Sequence, residues 1–108
     1  MRTNLIKMVK LNNLQYNANR DPQVYRRVTG HPFRIQAMLE GKGAAKVSIT
    51  CEGKTLKEAS LELPGIFSYE VTFKDAGTRI VTLTVSTDDG QSESRDLLLD
   101  TEAHAKVG

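Results

Sequence analysis

The chain has 108 residues, room for one domain built around a single core. It is 39% hydrophobic but only 6% aromatic and has no tryptophan, so Val, Leu and Ile must fill that core. A formal charge of +2 is not the strong basic excess of a dedicated nucleic-acid binder, and a single cysteine excludes an internal disulfide.

The charge is unevenly spread along the sequence. Residues 1–46 hold nine Lys and Arg against two acids, whereas residues 47–108 hold six against eleven. A basic arm for an acidic partner, or head-to-tail self-association, would use that polarity if it survived folding. Interleaved strands would instead mix the two halves in space, and that is the expectation.

Residues 2–11 read as a first strand or arm, with Leu5, Ile6, Met8, Val9 and Leu11 available to dock. Lys7 and Lys10 interrupt the apolar run, whereas a signal peptide needs roughly 7–15 unbroken apolar residues. No stretch approaches the ~20 apolar residues of a helical membrane span. A cytoplasmic protein, or a piece of a longer secreted one, is expected. Residues 12–22, rich in Asn and ending in Asp21-Pro22, are expected to form a long mobile loop without regular structure.

After Gly30-His31-Pro32 the pattern turns regular. Phe33, Ile35, Ala37 and Leu39 alternate with polar or flexible residues, as do Val47, Ile49 and Cys51. Period-two alternation is the mark of a half-buried strand. Glu40–Gly43 between them reads as a turn. Lys54–Leu63 suggests one or two edge strands, and Pro64-Gly65 a strong turn. Tyr69, Val71 and Phe73, then Val81, Leu83 and Val85, form two further strands expected to face each other across a sandwich rather than pair. Asp88-Asp89-Gly90 is a hairpin signal, a last strand spans about Ser92–Leu99, and residues 100–108 are expected to fray. About seven short strands with turns every 8–12 residues or so predict an all-β antiparallel sandwich, a single domain over residues 1–108.

The stretch Phe73-x-x-Ala76-Gly77-Thr78-x-x-Val81-Thr82-Leu83-Thr84-Val85, with Asp88-Asp89-Gly90 after it, resembles the C-terminal half of the PKD-type immunoglobulin-like repeat. Two positions depart from that pattern. Arg79 stands where the repeats usually place an aromatic, and Val47–Gly53 (VSITCEG) stands in place of the W-x-F-G-D-G segment. The resemblance implies a sandwich fold and a non-catalytic, interaction-type role, and no residue-level function is carried over. Small immunoglobulin-like domains also decorate bacteriophage virions, which need no signal peptide.

Few residues suggest chemistry. Cys51 with His31 or His104 is the one thiol–imidazole combination, but Cys51 falls on the apolar phase and reads as a small buried hydrophobe. Asp88, Asp89, Asp96 and Asp100 carry oxygens suited to calcium, yet their spacing matches no calcium loop, and a solvated hairpin tip is expected. Gly41-Lys42-Gly43 is too short for a phosphate-binding loop. No Cys/His cluster suits zinc, and no cofactor is implied. Arg20, Arg26, Arg27 and Arg34, with Tyr16 and Tyr25 among them, form the one candidate contact for nucleic acid or another polyanion. The reading adopted is a non-enzymatic module binding a protein or surface partner, with Gly77 and Cys51 in structural roles. The alternative is a polyanion-binding module using the basic N-terminal patch.

Overall fold

The computed structural model describes residues 5–16 and 25–103. Seven strands and no α-helix form among them: β1 (Ile6–Leu11), β2 (Leu14–Gln15), β3 (Arg27–Val28), β4 (Phe33–Cys51), β5 (Lys54–Val71), β6 (Gly77–Thr87) and β7 (Ser92–Glu102). One sheet joins them in the order β2-β1-β4-β6-β7-β3, with β5 running along the opposite side of β4. Every pairing is antiparallel except that of β3 with β7.

β4 is the spine. Phe33, Ile35 and Ala37 in its first half, and Val47 and Ile49 in its second, are wholly buried on one face. Burying a side chain of the Val, Leu, Ile or Phe class contributes about 1.5–3 kcal/mol, so this alternating row fixes which face turns inward. The first half pairs with β1, and the second with β6, whose Val81, Leu83 and Val85 continue the buried face.

Glu40–Gly43 does not reverse the chain, and neither does Pro64-Gly65. The pairs Leu39↔Gly65 and Gly43↔Leu63 are successive, so Glu40, Gly41 and Lys42 bulge opposite Pro64 alone. Extra residues on one strand bend the ribbon and raise its twist. Gly41 suits the bend for two reasons. Its φ is +124°, and a Cβ there would lie 3.0 Å from Leu63 Cδ1 and 3.3 Å from Leu5 Cδ2. Pro64, lacking an N–H, is tolerated at this unpaired edge position. The two turns expected from sequence are therefore one bend in a continuous two-stranded ribbon, closed at its tip by Glu52-Gly53. Both tip residues have positive φ, as a type I′ hairpin requires.

The bend curls the sheet back on itself into a half-barrel. Tyr69 Oη lies 3.4 Å from the Leu56 carbonyl oxygen, which accepts its hydrogen bond, although the two are 13 positions apart in one strand. A straight strand would hold them about 40 Å apart. β5 and β6 do not pair, as expected, but they do not face each other from two sheets of a sandwich either. They flank β4 on opposite sides within one sheet, because each takes a different edge of that long strand. At that link Phe73 packs against Phe33 (5.9 Å between centroids) and beneath the Arg79 guanidinium, 4.4 Å from its ring centre.

Two further expectations are corrected. The 12–22 segment begins with order: Asn12 and Asn13, at φ 55° and 70°, make a tight turn from β1 into β2. Residues 17–22 lie outside the described residues. Fraying does not begin at Asp100 either. Thr101 is buried and pairs with both Gly77 and Arg27, so β7 holds to Glu102, while residues 104–108 lie outside the described residues. The hairpin at Asp88-Asp89-Gly90 forms as expected, with Gly90 at φ +91° and the Thr87 N–H donating to the Gln91 carbonyl at 2.9 Å.

Candidate functional site

A curled open sheet has two seams. At the first, β1 approaches β7 without pairing, and side chains supply the missing hydrogen bonds. Glu93 Oε1 accepts from the N–H groups of Leu5 (2.6 Å) and Ile6 (2.9 Å), while Arg95 donates to the Ile6 carbonyl at 3.1 Å. Further along, Tyr16 Oη accepts from the Leu98 N–H at 3.0 Å. Buried backbone groups left unpaired would each cost about 1–3 kcal/mol, so these contacts are what allow the seam to close.

Tyr25 and Arg26 belong to the same closure. Tyr25 is 1% exposed, its hydroxyl donates to the Gln15 carbonyl at 2.7 Å, and its ring lies 5.3 Å from that of Tyr16. Arg26 is ion-paired with Asp100 at 2.7 Å and Glu102 at 3.6 Å. Of the basic patch, then, Tyr25 is a core residue and Arg26 faces two carboxylates. Arg27 and Arg34 are exposed, and Arg20 lies outside the described residues. Ion pairs also cross between the basic and acidic halves of the sequence, as at Lys46–Glu58 (3.7 Å).

The other candidate groups do not converge. Cys51 is buried at the end of β4, and burial, with the neighbouring Glu52 charge, pushes its thiol above the ordinary range against a smaller opposing effect of Arg79. No hydrogen bond joins it to His31, and His104 lies outside the described residues. Asp96 accepts from Thr82 (2.7 Å), Asp100 faces Arg26 and Asp89 accepts from Thr87, a bond that holds the Asp89 carboxyl below its usual range. Among the described residues no three His, Cys, Asp or Glu side chains are placed to share a metal ion. Lys42 and Gly43 at the bend, with Thr87, Asp88 and Asp89, line an open cleft of about 230 Å³ carrying both signs of charge.

The second seam is different. β5 pairs with β4 along one edge, and its other edge pairs with no strand among the described residues. Among the described residues six apolar side chains pack on the core while staying partly exposed, and four of them (Leu56, Ala59, Leu61 and Tyr69) lie on β5. The core is therefore least covered along this edge, with the Tyr69–Leu56 hydrogen bond bridging it. The sequence showed edge character at Lys54–Leu63 but not the length of the edge, because Pro64-Gly65 has the composition of a turn. Glu93 and Arg95 gave no local signal at all.

The chain matches no known protein family, no curated protein and no solved structure. Among the described residues no helix is long and apolar enough to cross a membrane.

Proposed function

We propose that this chain is an immunoglobulin-like β-sandwich acting as a non-catalytic interaction or structural module. It presents a sheet edge to a protein or surface partner, in the cytoplasm or as one part of a larger assembly such as a phage virion. The observation that carries this is the contrast between the two seams. One is bonded shut by Glu93, Arg95 and Tyr16, while the outer edge of the 18-residue β5, bridged by the Tyr69–Leu56 hydrogen bond, pairs with no strand among the described residues. Unpaired edges that stay open are templates for adding a partner strand. The two halves of the bent β4–β5 ribbon, each with its own inward apolar row, support the sandwich description. The PKD-type resemblance over residues 73–90 supports the interaction role. Among the described residues no convergent acid, base or nucleophile supports an enzyme reading.

The test is affinity capture from the source organism with the wild-type chain and a Glu58→Lys/Glu62→Lys variant of matched melting midpoint. Loss of a captured protein with the variant supports an edge-dependent module; identical capture profiles overturn it. The polyanion alternative retains Arg27 and Arg34 as exposed cations. It requires retention on heparin that weakens steeply with salt and is lost in an Arg27→Ala/Arg34→Ala variant.

A further inference from the structure

We infer that the β5 edge over Glu58–Leu63 takes an extended segment of a partner polypeptide whose side chains alternate apolar and basic. This rests on the module reading above and adds the chemistry of the partner.

Directly paired residues share a face of the sheet, so the register with β4 sorts the side chains of β5. Ala59 pairs with Val47 and Leu61 with Ala45, both buried, which places Ala59, Leu61 and then Leu63 on the inward face. Glu58 pairs with Ser48 and Glu62 with Ala44, which places both carboxylates on the outward face. An incoming strand meets both sets at once. On the inward side it must cover half-exposed Ala59 and Leu61, which calls for apolar residues. On the outward side it runs past Glu58 and Glu62, which calls for Lys or Arg. Its pattern is therefore apolar, basic, apolar, basic.

The same sorting disfavours a second copy of this chain in the register centred on Ser60. Antiparallel self-pairing centred on Ser60 sets Glu58 of each copy opposite Glu62 of the other, and like charges directly opposite repel. Glu62 makes no ion pair among the described residues, and Glu58 reaches Lys46 only at 3.7 Å between exposed groups, so both carboxylates remain available. Lys57 pairs with buried Ile49 and so stands on the inward face, and the register shifts at Leu56, whose carbonyl accepts from Tyr69. Pro64 ends the ladder, leaving Glu58–Leu63, six residues or about 20 Å, for pairing.

The experiment titrates the isotope-labelled full chain with an eight-residue peptide of alternating Val and Lys. The controls are a Val/Glu peptide and a peptide of the Val/Lys composition with its lysines consecutive. Saturable amide shifts concentrated at 58–63, seen with the alternating Val/Lys peptide alone, are expected. Glu58→Lys/Glu62→Lys should weaken binding about tenfold or more while keeping the melting midpoint. Equal binding of a control peptide, shifts centred elsewhere, or a dimer of the free chain that pairs through β5 would overturn the inference. If no peptide binds but edge-dependent capture from the organism persists, the partner chemistry fails and the module reading stands. If both are lost, both fail.

Discussion

Leu5 and Glu93 lie 88 positions apart, yet the Leu5 N–H donates to Glu93 Oε1 at 2.6 Å. The same oxygen accepts from Ile6, so one carboxylate terminates the unpaired start of β1. Glu93→Ala would strand two N–H groups beside Leu5 and Ile6, both 1% exposed. A loss of about 2–3 kcal/mol in urea unfolding is expected, hydrogen bonds to charged groups being worth about 1.5–3 kcal/mol. Glu93→Gln keeps an acceptor oxygen and should recover part of it. A cost for Glu93→Ala within about 0.5 kcal/mol of zero would show that water replaces the carboxylate.

Asn12 does comparable work at the β1–β2 turn. Its Nδ2 donates to the Tyr25 carbonyl and its Oδ1 accepts from the Arg34 N–H, each at 2.9 Å. It also holds φ at 55°, a left-handed conformation that costs most L-residues roughly 1–2 kcal/mol. Asn12→Ala loses both the backbone match and the bonds. Asn12→Gly loses the bonds alone. Alanine should therefore destabilise more than glycine by about 1 kcal/mol in chemical denaturation; equal costs would mean that the bonds carry the whole effect.

The strands were legible wherever alternation meets burial: Phe33–Leu39, Val47–Cys51, Val81–Val85 and the hairpin at Asp88-Asp89-Gly90. The continuity of β4 and β5 was not. Gly41 and Pro64 have the same composition whether a chain reverses or bends. The choice is made by Leu39↔Gly65 and Gly43↔Leu63, pairs that exist only once both strands are in register. Tyr25 misled for a similar reason. An aromatic next to two arginines has the look of a base-stacking site, and only the approach of Gln15 and Tyr16 turns it into core. The long free edge of β5, the centre of the candidate site, became visible only with that bend.

Cys51 should label slowly with thiol reagents under native conditions, since it is buried and its thiol is held above the ordinary range. The shift also sets a pH dependence. A pKa raised in the folded state means that the native protein keeps a proton which the unfolded chain releases first. The associated stability is complete below the unfolded thiol value and is lost as pH rises through the folded one. The melting midpoint of wild type should therefore fall faster than that of Cys51→Val above the ordinary thiol range. Parallel profiles, or labelling at the rate of a free thiol, would place the side chain in solvent.

Gly77 opens β6, where the chain leaves the Lys74–Thr78 link and pairs with Thr101. Its φ is +140°, in a region that is nearly glycine's alone, yet a Cβ built there meets nothing within 4 Å. The expected cost of Gly77→Ala is thus conformational, on the order of 1–3 kcal/mol, with no steric clash to relieve. No substitution in the neighbouring side chains should rescue it, whereas a D-alanine introduced by chemical synthesis, which favours positive φ, should restore most of the loss. Gly77 lies away from the β5 edge in the sheet order, so partner binding measured well below the melting midpoint should be unchanged. An unaltered midpoint for Gly77→Ala would refute the backbone argument. Lost binding at full stability would move the interaction site from β5 to the most repeat-like stretch of the chain.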